Sequence, residues 1–164
     1  MNQTMGRKEI LLMSWDAAMD RQGWYPPLAA ALESMNAEQA AWRPEGKATN
    51  TIWETVRHLI FYKKRLLQQW QGIQPEESES NDATFTVDEQ GEEAWEQTVS
   101  ELISIHREIR DLLAQCSEED LDRPIPDFPI GGHVLNLFVH DAYHTGQIVS
   151  IRKLQGSWPE RKDY

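Results

Sequence analysis

Asn50-Thr-Ile-Trp-Glu-Thr-Val-Arg-His-Leu-Ile-Phe-Tyr-Lys-Lys-Arg-Leu-Leu-Gln-Gln-Trp-Gln-Gly72 is the stretch on which the fold turns. Ile52, Val56, Leu59, Ile60, Leu66, Leu67 and Trp70 recur at the three- and four-residue intervals that stack side chains on one face of an α-helix. Asn50 or Thr51 can cap its start, and Glu54 stands three residues after Thr51, the spacing at which two side chains satisfy each other's free backbone N–H groups. Gly72 ends it. A helix of this length with one apolar stripe must bury that stripe against other elements.

The rest of the chain offers the same periodicity. A first helix is predicted over roughly 6–35, with Leu11, Leu12, Trp15, Met19, Leu28, Leu32 and Met35 facing inward. Gly23 and Pro26-Pro27 must kink or interrupt it, leaving its second half as a separate segment. Residues 34–46 read as a connector with one helical turn, and 75–87 as a polar loop able to edge a site. A third long helix fits 88–115, through Trp95, Val99, Leu102, Ile105, Ile109 and Leu113. After a short turn at 117–121 and an extended connector holding Pro124, Pro126 and Pro129, a fourth helix is expected to begin beyond Gly131-Gly132 and end near Gln155. No stretch alternates as a half-buried strand would. The expected fold is all-α, a four-helix bundle forming one domain over 1–164.

Composition agrees. With 164 residues, 40% hydrophobic and 26% charged, the chain suits a single globular domain. A formal charge of -11 would repel a phosphate backbone, so no nucleic-acid partner is expected. Residues 75–122 hold 16 acidic and 2 basic side chains, which reads as a solvated outer face on the third helix. The one cysteine, Cys116, excludes an internal disulfide and a cysteine-based zinc knuckle, and a cytoplasmic setting is expected. The longest strictly apolar run, Leu28–Leu32, is far short of the roughly 18 residues of a membrane span, and Ile10–Met13 is too short for a signal-peptide core. No membrane partner is expected.

Two of the five histidines lie one helical turn apart in His140-Asp-Ala-Tyr-His144. Ile130, Val134, Leu137, Asp141, His144, Ile148 and Ile151 share one face, so His144 falls on the buried stripe and His140 beside it, the spacing at which a helix offers two imidazoles to one ion. His58, at the edge of the second helix's stripe, is the third candidate. Three imidazoles from two facing helices leave positions open for water or substrate, as catalytic metal centres do. His106 reads as exposed and His133 as a surface or capping residue. Cys116 reads as a small buried apolar residue. Asp141 is a candidate to orient an imidazole or accept a proton, or else a helix-surface acid. Tyr62 and Tyr143 are candidate hydroxyl donors to a substrate, with core packing the alternative for both and for Trp53.

Asn50-Thr-Ile-Trp-Glu-Thr-Val-Arg-His58, preceded by Ala41-Trp-Arg-Pro-Glu-Gly46, resembles the first signature of the DinB-like superfamily of metal-binding four-helix bundles, and His140-Asp-Ala-Tyr-His-Thr-Gly-Gln-Ile148 resembles its second. Trp24-Tyr-Pro-Pro-Leu28 is similar to a segment common in the subgroup with the best-formed metal site. The resemblance implies a long crossover connection, a divalent ion, commonly nickel or zinc, on His58, His140 and His144, and a homodimer. Relatives include bacterial S-transferases that use low-molecular-weight thiols and thiol-dependent isomerases. The expectation is therefore a metal-dependent enzyme in which the ion activates an external low-molecular-weight thiol, or water, for transfer to a small electrophilic substrate. Two alternatives stand. His140-Asp-Ala-Tyr-His144 also resembles the zincin pattern with Asp in place of the catalytic Glu, which would make a hydrolase, but no further histidine follows. A non-enzymatic dimeric metal-binding or stress-response module is the other.

Overall fold

Across residues 4–160, which the computed structural model describes, six α-helices follow in chain order: α1 (Arg7–Met19), α2 (Leu28–Leu32), α3 (Ala37–Ala41), α4 (Ile52–Trp70), α5 (Glu92–Gln115) and α6 (Ile130–Leu154). Short 3₁₀ turns span Asp82–Phe85 and Asp120–Asp122, and there is no strand among the described residues. The two ends of the expected 1–164 domain, residues 1–3 and 161–164, lie outside the described residues. The four long helices form the bundle. α4 packs on α5 and α6, and α1 packs on the same two, so α1 stands diagonally from α4 and α5 from α6. The chain must therefore cross the bundle twice, through residues 20–51 and through 116–129. In the first crossing α2 settles on α6, and α3 covers α4 and α5.

Local chemistry sets these boundaries. The Thr51 hydroxyl accepts the Glu54 N–H at 3.0 Å while the Glu54 carboxylate accepts the Thr51 N–H at 2.8 Å, the reciprocal cap that the spacing predicts. Asn36 and Gln39 do the same for α3. Each such cap contributes about 1 kcal/mol. α4 closes on Gln71 with Gly72 at φ 74°, and α6 on Gln155 with Gly156 at φ 76°, a left-handed conformation that glycine takes without strain.

The interruption expected at Gly23 and Pro26-Pro27 is present: α1 ends at Met19, and residues 20–27 separate it from α2. Two helix starts depart from the sequence reading. α5 begins at Glu92 rather than 88, because Gly91 at φ 88° cannot continue a helix backwards. α6 begins at Ile130, so Gly131 and Gly132 lie inside its first turn rather than before it. Their role is close approach. A Cβ on Gly131 would meet the Leu121 carbonyl oxygen at 3.3 Å, and one on Gly132 the Phe128 ring at 2.5 Å.

The core follows the stripes. Trp15, Leu28, Ile52, Val56, Leu102, Ile109, Leu113, Ile130, Val134 and Ile148 are buried. Trp95 and Trp53 pack edge to face in it, their indole N–H groups donating to the Met35 carbonyl and the Thr98 hydroxyl. Buried Arg152 donates to the Ala31 carbonyl at 2.8 Å and ties α6 to the α2 segment. The α5 acids Glu92, Glu93, Glu96, Glu108 and Asp111 face solvent, as expected. No helix among the described residues is long and apolar enough to cross a membrane.

Candidate metal centre

His58 comes from the middle of α4, and His140 and His144 from successive turns of α6. Their Nε2 atoms converge: His58 to His140 at 2.9 Å and His144 to His140 at 3.0 Å. Two nitrogens each about 2.1 Å from one ion are separated by at most about 4.2 Å, and both pairs fall within that limit. These three are the one group of three or more potential ligands that the described residues bring together.

Which nitrogen carries the proton follows from the neighbours. The Thr84 hydroxyl spends its single hydrogen on the Asn81 carbonyl at 2.6 Å, so its oxygen must accept from His58 Nδ1, also at 2.6 Å. Gln147 donates its amide to the Tyr143 oxygen at 3.0 Å and turns its carbonyl to His144 Nδ1 at 2.7 Å. Both rings therefore hold their proton on Nδ1 and present a bare Nε2 lone pair to the common point. Even if His140 donated from Nε2, it could satisfy only one of them. Protonation does not relieve the crowding. Burial, then the neighbouring imidazoles, pushes His58 down to about 3. Burial, then His144 and Lys63, pushes His140 down to about 4, and burial lowers His144 against the opposing effect of its hydrogen bond to Gln147. At neutral pH three uncharged rings share one focus, a donor set suited to a divalent cation.

The polar loop edges this site. Its 3₁₀ turn packs on α4, and Phe85 stacks on the His58 ring at 3.9 Å between centroids. Tyr62 lies edge-on to His58 and His140 and donates its hydroxyl to Asn81 at 2.9 Å. Beside His140 opens a cavity of about 580 Å³ lined by Tyr62, Asn81, Asn136, Leu137, Val139 and Tyr143. Both candidate tyrosines thus border the same space, Tyr62 half-buried and Tyr143 exposed.

Asp141 is fully buried, which excludes the helix-surface alternative, and its hydrogen-bonding partner is the Lys63 ammonium at 2.6 Å. Burial pushes the Asp141 carboxyl up and Lys63 opposes that shift. Its second oxygen has no hydrogen-bond partner among the described residues. Lys63 is itself fully buried, 3.3 Å from His106 Nδ1 and 4.6 Å from the centre of the Trp15 ring. His106, read as exposed, is instead 2% exposed: it stacks on Trp15 and donates from Nε2 to the Trp15 carbonyl at 3.1 Å. Burial, then Lys63, holds it neutral with a pKa of about 2. Position 106 lies four after Leu102 and three before Ile109, and position 63 four after Leu59 and three before Leu66. The helical period therefore signalled both burials, and chain neighbours such as Arg107 and Lys64 concealed them. His133 is half-buried and donates to the Ile125 carbonyl at 2.8 Å. Cys116 is half-buried rather than buried, beside the Leu113 carbonyl at the end of α5. Thr84, Phe85 and Asn81 left no sequence signal. Gln147 did, one turn beyond His144.

Neither the comparison with curated proteins nor that with solved structures returns a match. A family model described as the DinB superfamily matches residues 25–148, a span that runs from just before α2 through His58, the covering loop, His140 and His144. With that match over most of its length, an all-helical bundle and the two histidine-bearing segments in order, the chain belongs to the DinB superfamily.

Proposed function

We propose that the protein binds one divalent metal ion, nickel or zinc, through His58, His140 and His144 and uses it to activate a low-molecular-weight thiol or water for transfer to a small electrophile. The observation that carries the reading is the pair of bare Nε2 lone pairs aimed at a third imidazole 2.9 and 3.0 Å away. Bound there, such an ion supplies the positive charge that lowers the pKa of a thiol or water brought to it. The chain's residues do the rest. Thr84 and Gln147 hold two rings in the ligating tautomer, and Phe85 covers His58 from solvent. The cavity at His140 accepts a small molecule against Leu137 and Val139, with the Tyr62 and Tyr143 hydroxyls and two asparagine amides to orient it. Among the described residues no lysine, arginine or carboxylate lines it, which favours an uncharged substrate. No cysteine lines it either, and the Cys116 thiol, pushed up by burial, is not a nucleophile for it, so the thiol comes from outside.

A second reading, a metal-binding module without turnover, is favoured by one observation: the Asp141 carboxylate is engaged with Lys63, and no acidic side chain among the described residues lines the cavity to move protons. The same point weighs against hydrolysis. Metal analysis of the purified protein, followed by thiol consumption with an uncharged alkyl electrophile, separates the readings. Turnover that stops with chelator and returns with metal supports the enzyme. Stoichiometric metal without chelator-sensitive turnover supports the module.

A further inference from the structure

Lys63 touches every other long helix of the bundle. From α4 its ammonium reaches Asp141 on α6 at 2.6 Å, His106 on α5 at 3.3 Å and the Trp15 ring on α1 at 4.6 Å. His106 and Trp15 close the circuit with reciprocal bonds, each ring N–H donating to the other's backbone carbonyl at 3.1 and 3.0 Å. Lys63 and Asp141 are 0% exposed, and a bundle core rarely holds two charges without a reason beyond stability, since apolar residues of the same volume serve stability as well.

The placement supplies the reason. α4 carries His58 and Lys63, five residues apart, and α6 carries His140 and Asp141, consecutive. The helix pair that must bring three imidazoles to one point is thus joined at a second point, deeper in the core, about 7.5 Å further along α4 at 1.5 Å rise per residue. One contact between two helices leaves rotation about it free. Two contacts at different depths fix both the sliding and the rotation of α4 against α6. Apolar packing tolerates small slips, whereas a buried ion pair weakens steeply with separation because no water screens it.

We propose that the Lys63–Asp141 ion pair, anchored by His106 and Trp15, is a positioning element that sets the register of α4 against α6 and so holds His58 within ligating reach of His140 and His144. The proposal rests on the metal reading above. The pair touches neither metal nor substrate, and it acts through the imidazoles alone.

The test is the double variant Lys63→Met/Asp141→Leu, which keeps the branching and approximate length of each side chain and removes both charges, beside the single variant Asp141→Asn. Cobalt(II) affinity by titration, the cobalt visible spectrum and the melting temperature are measured on each. The apolar pair is expected to melt at or above the wild-type temperature yet bind cobalt(II) at least tenfold more weakly, with an altered visible spectrum. Asp141→Asn, which leaves Lys63 buried without its counter-charge, is expected to melt lowest but lose less affinity than the apolar pair. Affinity that simply follows melting temperature, or a folded apolar pair with wild-type affinity and spectrum, overturns the proposal. So does failure of both variants to fold, which would make the pair a requirement of the fold itself. Absence of cobalt binding by the wild-type protein is a different result and strikes the metal reading instead.

Discussion

The Thr84 hydroxyl accepts the Nδ1 proton of His58 at 2.6 Å, so a residue from the polar loop decides which nitrogen an α4 imidazole offers to the bundle interior. Partners of this kind orient ligating histidines and raise their basicity. Thr84→Val keeps the shape and removes the acceptor. Its nickel affinity by isothermal titration is expected to fall about 10–100-fold, with Thr84→Ser recovering most of the loss. Equal affinity for Thr84→Val and the wild type would remove Thr84 from the support of the site.

The lowered histidines have a consequence for folding. In the unfolded chain His58 and His140 take up protons near 6.5, whereas in the native, metal-free protein they do so only near 3 and 4. His106, at about 2, and His144 shift the same way. Between these limits the unfolded state binds more protons. Their contribution to stability is therefore fully present above about pH 6.5 and is lost progressively as pH falls toward the folded values. Asp141, raised by burial, works in the opposite direction, one group against four. The urea midpoint of metal-free protein is expected to drop between pH 7 and pH 4.5, and a midpoint that holds constant or rises over that range would contradict the burial of these rings.

Thr51 belongs to the cap of α4 and lies seven residues from His58. Thr51→Ala should destabilise the fold by about 1 kcal/mol, within the range for lost N-caps, read as a lower urea midpoint with unchanged slope. Nickel affinity should change less than twofold, because the cap supports the helix end and not the imidazole. A large loss of affinity without loss of stability would contradict this division.

What the sequence disclosed depended on whether a feature was periodic. The α4 start, its stop at Gly72 and the α6 stripe from Ile130 to Ile151, Asp141 included, are legible because capping spacing and the helical period are local rules. His106 and Lys63 obey the same period, yet charged neighbours masked them, and their burial is affordable only because Lys63 meets Asp141 and His106 meets the Trp15 carbonyl across the core. That is tertiary information. The glycines at 131 and 132 look like a helix start in sequence and prove to be contact surfaces for Leu121 and Phe128, segments already laid against α6. Least legible was the 3₁₀ turn at Asp82–Phe85: a short polar segment carries no pattern, and its role at His58 exists only once α4 and the loop meet.

The most direct test is nickel(II) binding by equilibrium dialysis on the wild-type protein, His58→Ala and His144→Ala at pH 7. One ion per chain is expected for the wild type, with at least a hundredfold weaker binding by either variant and each still helical by circular dichroism. Wild-type affinity retained by His58→Ala would contradict the convergence of α4 and α6 on a common ion.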